Sequence, residues 1–383
     1  MRVLLIGEFS RLHNSLKEGL EKNGHEVLLA GTKDYFKNFP VDVSLDNKLF
    51  TNKVTLFFAK VAHKLFKVDL AGLERAFIFW CNFEKFKGFD VVQLIHENAI
   101  KTPPKTEVKL LKKLKKHNQK LFLLSCGADS ICMKYAFDKK FKYSILTPLF
   151  ENWESAEYQK KYIHSFRFFT KEYQVLSNYL RENVNGIIAS DMDYHIPLVG
   201  HDKYLGLVPN AINIEKIIPH FFKDNGKIKI FHGINNVASI QKGNGYFEEA
   251  LSIIKEKHHE LVEITTVRSV PYKQYIEMYN DCHILMDQAF GYDQGYNGLE
   301  AMAKGKVVFT GAEQEFLEYY NLEKNTVCIN ALPNVESLVA ELENLILNPE
   351  KIAEISKNAR RFIEEKHNYL NIADQYVNVW NAN

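Results

Sequence analysis

A regular exchange of short apolar runs with amphipathic segments limits what this chain can fold into more than any other feature. It begins at the N-terminus and begins again after Pro209. "RVLLIGE" (2–8) reads as a buried strand. In "FSRLHNSLKEGLEKNGHEVLLAG", a helix runs from about Ser15 to Asn23-Gly24, and a second strand follows near Glu26. Ser15 and Glu18 have the spacing of a capping box. Further strands are expected at "DVVQLIH" (90–96) and "KLFLLSC" (120–126), with the helix "EVKLLKKLKKHN" between them, and then at "YQVLS" (173–177), "DYHIPLVG" (193–200) and "LGLVPNAIN" (205–213). Alternation of this kind builds a parallel sheet covered by helices on both faces.

After Pro209 the strands "KIKIFHG", "LVEITTV", "HILMDQ", "KVVFTG" and "TVCIN" alternate with the helices of "GNGYFEEALSIIKEK", "PYKQYIEMYNDC" and "NVESLVAELENLIL". The expected fold is therefore α/β, with two facing Rossmann-like doubly wound domains. At 383 residues the chain is longer than a single core usually supports. The boundaries fall at 1–207 for the first domain and 208–368 for the second, with a hinge near 200–212. The segment 369–383 is expected as a helix crossing back to the first domain. Two open parallel sheets leave a cleft beyond the carboxyl ends of their strands, where ligands bind.

Charge excludes some partners. With 49 basic and 47 acidic residues the molecule is no polyanion binder, and no nucleic acid is expected. Cys81, Cys126, Cys132, Cys282 and Cys328 form a scattered, odd-numbered set without a C-x-x-C, which fits reduced thiols in a cytoplasmic setting. "MRVLLIGEF" is too short an apolar run for a signal peptide, and no apolar stretch reaches the length of a membrane span.

The stretch "YDQGYNGLEAMAKGK" (292–306) is an irregular loop leading into a short helix. A helix N-terminus presents unpaired N–H groups, so Gly295, Tyr296, Asn297, Gly298 and Leu299 suit a pyrophosphate. A carboxylate one turn further in would repel phosphate, but it can accept hydrogen bonds from the vicinal hydroxyls of a ribose. Glu300 has that place.

Together with "VPNAIN", Lys242-Gly243 and "MDQ", this stretch resembles retaining glycosyltransferase family four, whose fold is called GT-B. "KNARRFIEEKHNY" is similar to the family's closing helix. The family pattern sets one glutamate eight residues before another, with a glycine three after the first. Here Glu300 is the second, Gly295 is the glycine and Tyr292 replaces the first. The resemblance implies that the missing group would bond the donor sugar, with Asp293 next to it as a substitute.

Lys242, between a strand and a helix and beside glycines, can meet a departing diphosphate as a compact cation and so act in catalysis. The family usually adds an arginine in that loop; Asn235, Asn236, Ser239 or Arg268 from the next strand would stand in. In the first domain Gly7, Arg11 and His13 follow strand one. His96 and Glu97 close a later strand and Asp129 follows another; His96 is a second catalytic candidate, with a structural role the alternative. Asp191 and Asp193 in "SDMDY" have a spacing that suits a cation, but the resemblance assigns that task to basic groups and helix N-termini. No metal or cofactor is expected.

In "NKVTLFFAKVAHKLFKVDL" (52–70), Lys53, Lys60, Lys64 and Lys67 share one helical face, with Phe57, Val61, Leu65 and Phe66 opposite. "KLLKKLKKHNQK" (109–120) adds six lysines. A helix packed on the core with solvated lysines is the reading favoured over peripheral contact with the inner membrane face. The function expected is transfer of a sugar from a nucleotide-sugar donor to a glycan or lipid-linked acceptor in cell-surface polysaccharide assembly. A GT-B epimerase and a degenerate nucleotide-sugar-binding protein are the alternatives. A nicotinamide enzyme is excluded, since no G-x-G-x-x-G opens a helix after a strand.

Overall fold

The computed structural model describes residues 1–33, 39–223, 226–270 and 272–383, the side chains of 272 and 273 excepted. The first sheet holds seven strands: β1 (Arg2–Ile6), β2 (Glu26–Gly31), β3 (Val43–Ser44), β4 (Val91–Leu94), β5 (Lys120–Ser125), β6 (Gly186–Ala189) and β7 (Tyr204–Leu207). Their order is β3-β2-β1-β4-β5-β6-β7, and every pairing is parallel. The second sheet contains β8 (Ile228–Ile234), β9 (Val262–Arg268), β10 (Ile284–Met286), β11 (Val307–Thr310) and β12 (Ile329–Asn330), ordered β12-β11-β10-β8-β9 and again parallel. Helices cover both faces, so central strands such as β4 and β11 are buried along their whole length instead of alternating. The α/β double-domain expectation holds.

Strand order fixes where a ligand can sit. In the first sheet the connections diverge between β1 and β4, so the loops beginning at Gly7 and at Ile95 flank one crevice. In the second they diverge between β8 and β10, which places the loops carrying Lys242 and 287–295 at the matching position.

Some local expectations fail for identifiable reasons. "YQVLS" belongs to the helix Lys171–Asn183, where Leu176 and Leu180 are buried one turn apart. "DYHIPLVG" begins inside the helix Met192–Leu198. The missing strand is β6, a run of four residues too short to show a period. A Cβ at its Gly186 would lie 2.1 Å from Leu205 Cδ1. The first helix spans Leu12–Lys22 and starts behind a left-handed Arg11, without a side-chain cap. The capping box does not form, because Ser15 and Glu18 bond to the second domain instead. The helix of "PYKQYIEMYNDC" is Tyr272–Asp281; Pro271 lies outside the described residues.

The helix Lys53–Phe66 has no buried residue, so the reading that packs it on the core is wrong. Among the described residues no helix is long and apolar enough to cross a membrane. The last helix, Tyr369–Ala382, does return to the first domain. It lies so close to the helix Leu12–Lys22 that a Cβ on Gly19 would meet the Tyr369 carbonyl at 2.2 Å, and the Trp380 indole N–H donates to Gln93 Oε1 at 3.1 Å.

Candidate functional site

The loop after β10 and the helix Tyr296–Ala303 form the floor of the site. Gly295 is the helix N-cap and makes no side-chain cap bond, so the first-turn amides are not taken up by a cap. Leu299, Met302 and Ala303 anchor the helix in the core. Buried Asp287, at the end of β10, accepts bonds from Lys242 Nζ at 2.8 Å and from Asn297 Nδ2 at 3.1 Å. Gly298 permits that approach, since a Cβ there would sit 3.2 Å from Asp287 Oδ2. Lys242 is thus paired, with Asp287 taking one of its three donors. Asn297 is held on its other side by Tyr275 and Tyr279.

Glu300 is half-buried one turn into the helix. Its charge reaches Arg11: burial acts against that guanidinium, but Glu18, Tyr296 and Glu300 outweigh it and hold the pKa above its usual value. Tyr296 spans the two domains. Its hydroxyl donates to the Ala211 carbonyl at 3.1 Å, which leaves Ser15 Oγ to donate to it at 2.6 Å.

Tyr292 is buried, and its side chain turns to the first domain. Its oxygen accepts the Lys142 N–H at 2.8 Å, and its ring packs on Phe141 and Tyr143. Glu313 reinforces this contact with bonds from Lys142 Nζ and from the Tyr143 hydroxyl. Burial alone would raise the Glu313 carboxyl, but bonds from Tyr143, Asn330 and Lys142 hold it below the ordinary range.

Asp293 accepts the Met192 N–H at 2.9 Å, while Asp193 accepts the Tyr292 N–H at 3.1 Å, a reciprocal pair of contacts across the domains. With Asp191 they bring one oxygen each within 4.8 Å of one another, the one group of three or more metal-ligating side chains among the described residues compact enough to share a cation. Burial pushes Asp193 up to about 7. Burial and then the neighbouring carboxylates lift Asp191 and Asp293 well above the ordinary carboxylate range.

Two cavities meet here. One of about 380 Å³ is lined by Phe9, Ser10, His96, Arg167, Gly295 and Tyr296; the other, of about 190 Å³, by Asp191, Asp193, Gln288, Gly291, Asp293 and Gly295. His96 is buried and accepts the Asn98 N–H on Nδ1 at 2.8 Å. Burial, helped by Arg167, lowers it to about 3, so it is neutral with its proton on Nε2 and serves the cavity as a donor rather than a base. Gly7 has φ +92°, and a Cβ there would lie 2.3 Å from Ile95 Cγ2, which is reason enough for a glycine. His13 donates to the Gly7 carbonyl and, being buried, falls to about 4. Asp129 caps the helix Ser130–Phe137. Arg268 pairs with Glu248 on the surface.

Residues 235–378 match a family model described as glycosyl transferase-like. No curated protein sequence matches the chain. Among solved structures, sucrose-phosphate synthase from Thermosynechococcus elongatus is similar over 100% of this chain and 98% of its own, with a TM-score of 0.63 at 13% identity. The fold is GT-B. HepE from Anabaena in complex with UDP-glucose covers 100% of both chains, with a TM-score of 0.56 at 12% identity. A putative UDP-N-acetylglucosamine 2-epimerase from Listeria monocytogenes covers 98% of this chain and 94% of its own, at 0.53 and 10%.

Within this GT-B frame the sequence reading overlooked Asp287, Arg167 and the approach of Asp293 to Asp191 and Asp193. Asp287 was in view as part of "MDQ", and a carboxylate directly after a buried strand is a usable signal. Arg167, between phenylalanines in "SFRFF", carries none.

Proposed function

We propose that the protein is a glycosyltransferase that moves a sugar from a nucleotide-sugar donor to a glycan or lipid-linked acceptor. Retention of anomeric configuration is what the family-four resemblance implies. The observation that carries the reading is the uncapped start of the helix Tyr296–Ala303, opening at Gly295 onto a cavity between two GT-B sheets. Amides from Gly295 to Gly298 receive the diphosphate and Glu300 holds the ribose hydroxyls. Lys242 offers its two remaining donors to the leaving group, where charge grows in the transition state. Arg167 and the His96 Nε2–H approach from the first domain. Gly7 keeps the β1 turn narrow, and Asp293 rather than Tyr292 lies where the sugar would sit. Arg268 would have to leave Glu248 to take part. No cofactor enters this scheme. The setting is cell-surface polysaccharide assembly on the cytoplasmic side of the membrane.

A second reading, epimerisation of the nucleotide sugar, draws support from Asp191, Asp193 and Asp293 beside the cavity, because acid groups around the ring are what that chemistry needs. Incubation with UDP-, GDP- and dTDP-sugars separates the cases. Released nucleoside diphosphate supports transfer or hydrolysis, and an altered sugar still attached to its nucleotide supports epimerisation. A thermal shift without turnover would leave a binding protein.

A further inference from the structure

The helix Lys53–Phe66 has no buried residue, although it is rich in phenylalanine. Phe57, Phe58, Leu65 and Phe66 are between 61% and 73% exposed, and Phe77 and Trp80 on the following helix, Leu70–Cys81, are exposed as well. Patches of this kind on a soluble protein mark an interaction surface, because each ring left in water forgoes its transfer free energy. The charge around the rings is mainly basic, the nearby acids Asp69 and Glu74 being bonded to the backbone N–H groups of Gly72 and of Lys48, Leu49 and Phe50. From Lys48 to Val68 the chain carries five lysines and His63 and no acid. Asn52 caps the helix by accepting the Val54 and Thr55 N–H groups, so the segment is built as a helix without help from a core.

We infer that these two helices form a docking surface for an anionic lipid bilayer, with the aromatic rings at the acyl boundary and the lysines among the headgroups. A helix with no fully buried residue offers a ridge, and a fluid surface can deform around a ridge. A second copy of the chain on the same face would set lysine against lysine.

The surface is linked to the cavity by one relay of contacts. Arg75, on the second helix, donates to the Lys101 carbonyl at 2.7 Å, and the Lys101 ammonium lies 4.8 Å from the centre of the Phe9 ring, which packs on His96. Docking therefore holds the acceptor side of the cleft near the bilayer. Only this last point, that the surface delivers a lipid-linked acceptor, rests on the transfer reading.

Flotation with vesicles of phosphatidylcholine, with and without phosphatidylglycerol, tests the inference on the full chain. Binding should require the anionic lipid and fade with added salt. Lys60→Glu with Lys64→Glu should weaken it by about tenfold or more, and Phe57→Ser with Phe58→Ser by a similar factor. These side chains are exposed, so folding and donor turnover without vesicles should stay as in the parent. Failure to float with anionic vesicles would overturn the inference, as would equal binding to neutral ones. A dimer in solution that Phe57→Ser with Phe58→Ser dissolves, without flotation, would assign the face to a second copy instead. None of these readouts depends on sugar transfer, so the two proposals fail separately.

Discussion

The Lys142 backbone N–H donates to the Tyr292 hydroxyl oxygen at 2.8 Å, which makes the residue at the family's first glutamate position a joint between domains. Tyr292→Phe should cost about 1 kcal/mol of stability, the usual worth of one buried hydrogen bond, with little effect on donor turnover. Tyr292→Glu should destabilise more, because its charge would enter beside Asp193 and Glu313. Denaturant unfolding and turnover, measured together, check both. A faster, equally stable Tyr292→Glu would mean that the side chain can reach the donor.

Lys242 and Asp287 form a pair in which only the lysine meets solvent, the carboxylate being buried. Asp287→Ala leaves the Asn297 amide without its acceptor while the lysine turns to solvent, and should cost about 1–2 kcal/mol of stability. Lys242→Ala should instead lower kcat about a hundredfold and leave nucleotide affinity nearly unchanged. Equal effects of both variants on stability and kcat would show that Lys242 is only a structural partner.

Glu300→Ala should weaken nucleoside diphosphate binding by roughly tenfold or more, the value of hydrogen bonds to a charged acceptor. The loss should vanish for a dideoxyribose analogue, which has no hydroxyls to offer. Calorimetric titration of both ligands against both proteins decides it; an identical loss for the analogue would remove the ribose assignment.

Asp193 is raised to about 7 by burial, and Asp191 and Asp293 lie well above their ordinary value through burial and one another's charge. In this range these three carboxyls bind more protons folded than unfolded, so their contribution to stability should fall as pH rises from about 4 through about 7, against the opposite contribution of buried His13, His96 and His367, whose pKa values burial lowers. Asp193→Asn should flatten that slope. Urea midpoints of the parent and of this variant at a series of pH values measure it, and a difference between the two that stays level from acid to neutral pH would refute the argument.

The architecture was legible because strands covered on both faces are continuous apolar runs, and β1, β5, β10 and β11 read as such in the sequence. The helix Tyr296–Ala303 was legible through its glycines and the period of Leu299, Met302 and Ala303. Partners distant in sequence were not. Lys242 with Asp287 and Asp193 with Asp293 meet only through topology, and Ser15 with Glu18 resembled a local cap while serving contacts to Tyr296, Asn213 and Lys216. The pattern of 52–70 is the same whether such a helix packs on a core or faces outward. Only the structure shows that its phenylalanines cover nothing.

The chain passes between its two halves twice, and the passages are stitched together. The Ile212 N–H donates to the His367 carbonyl at 2.8 Å, and the Tyr369 N–H donates to the Ile212 carbonyl at 3.2 Å. Two covalent straps fastened side by side behave like the pin of a door. Such a pin favours turning about one line over sliding or shearing, and any parting of the far side has to break the Tyr292–Lys142 and Asp293–Met192 bonds that close it.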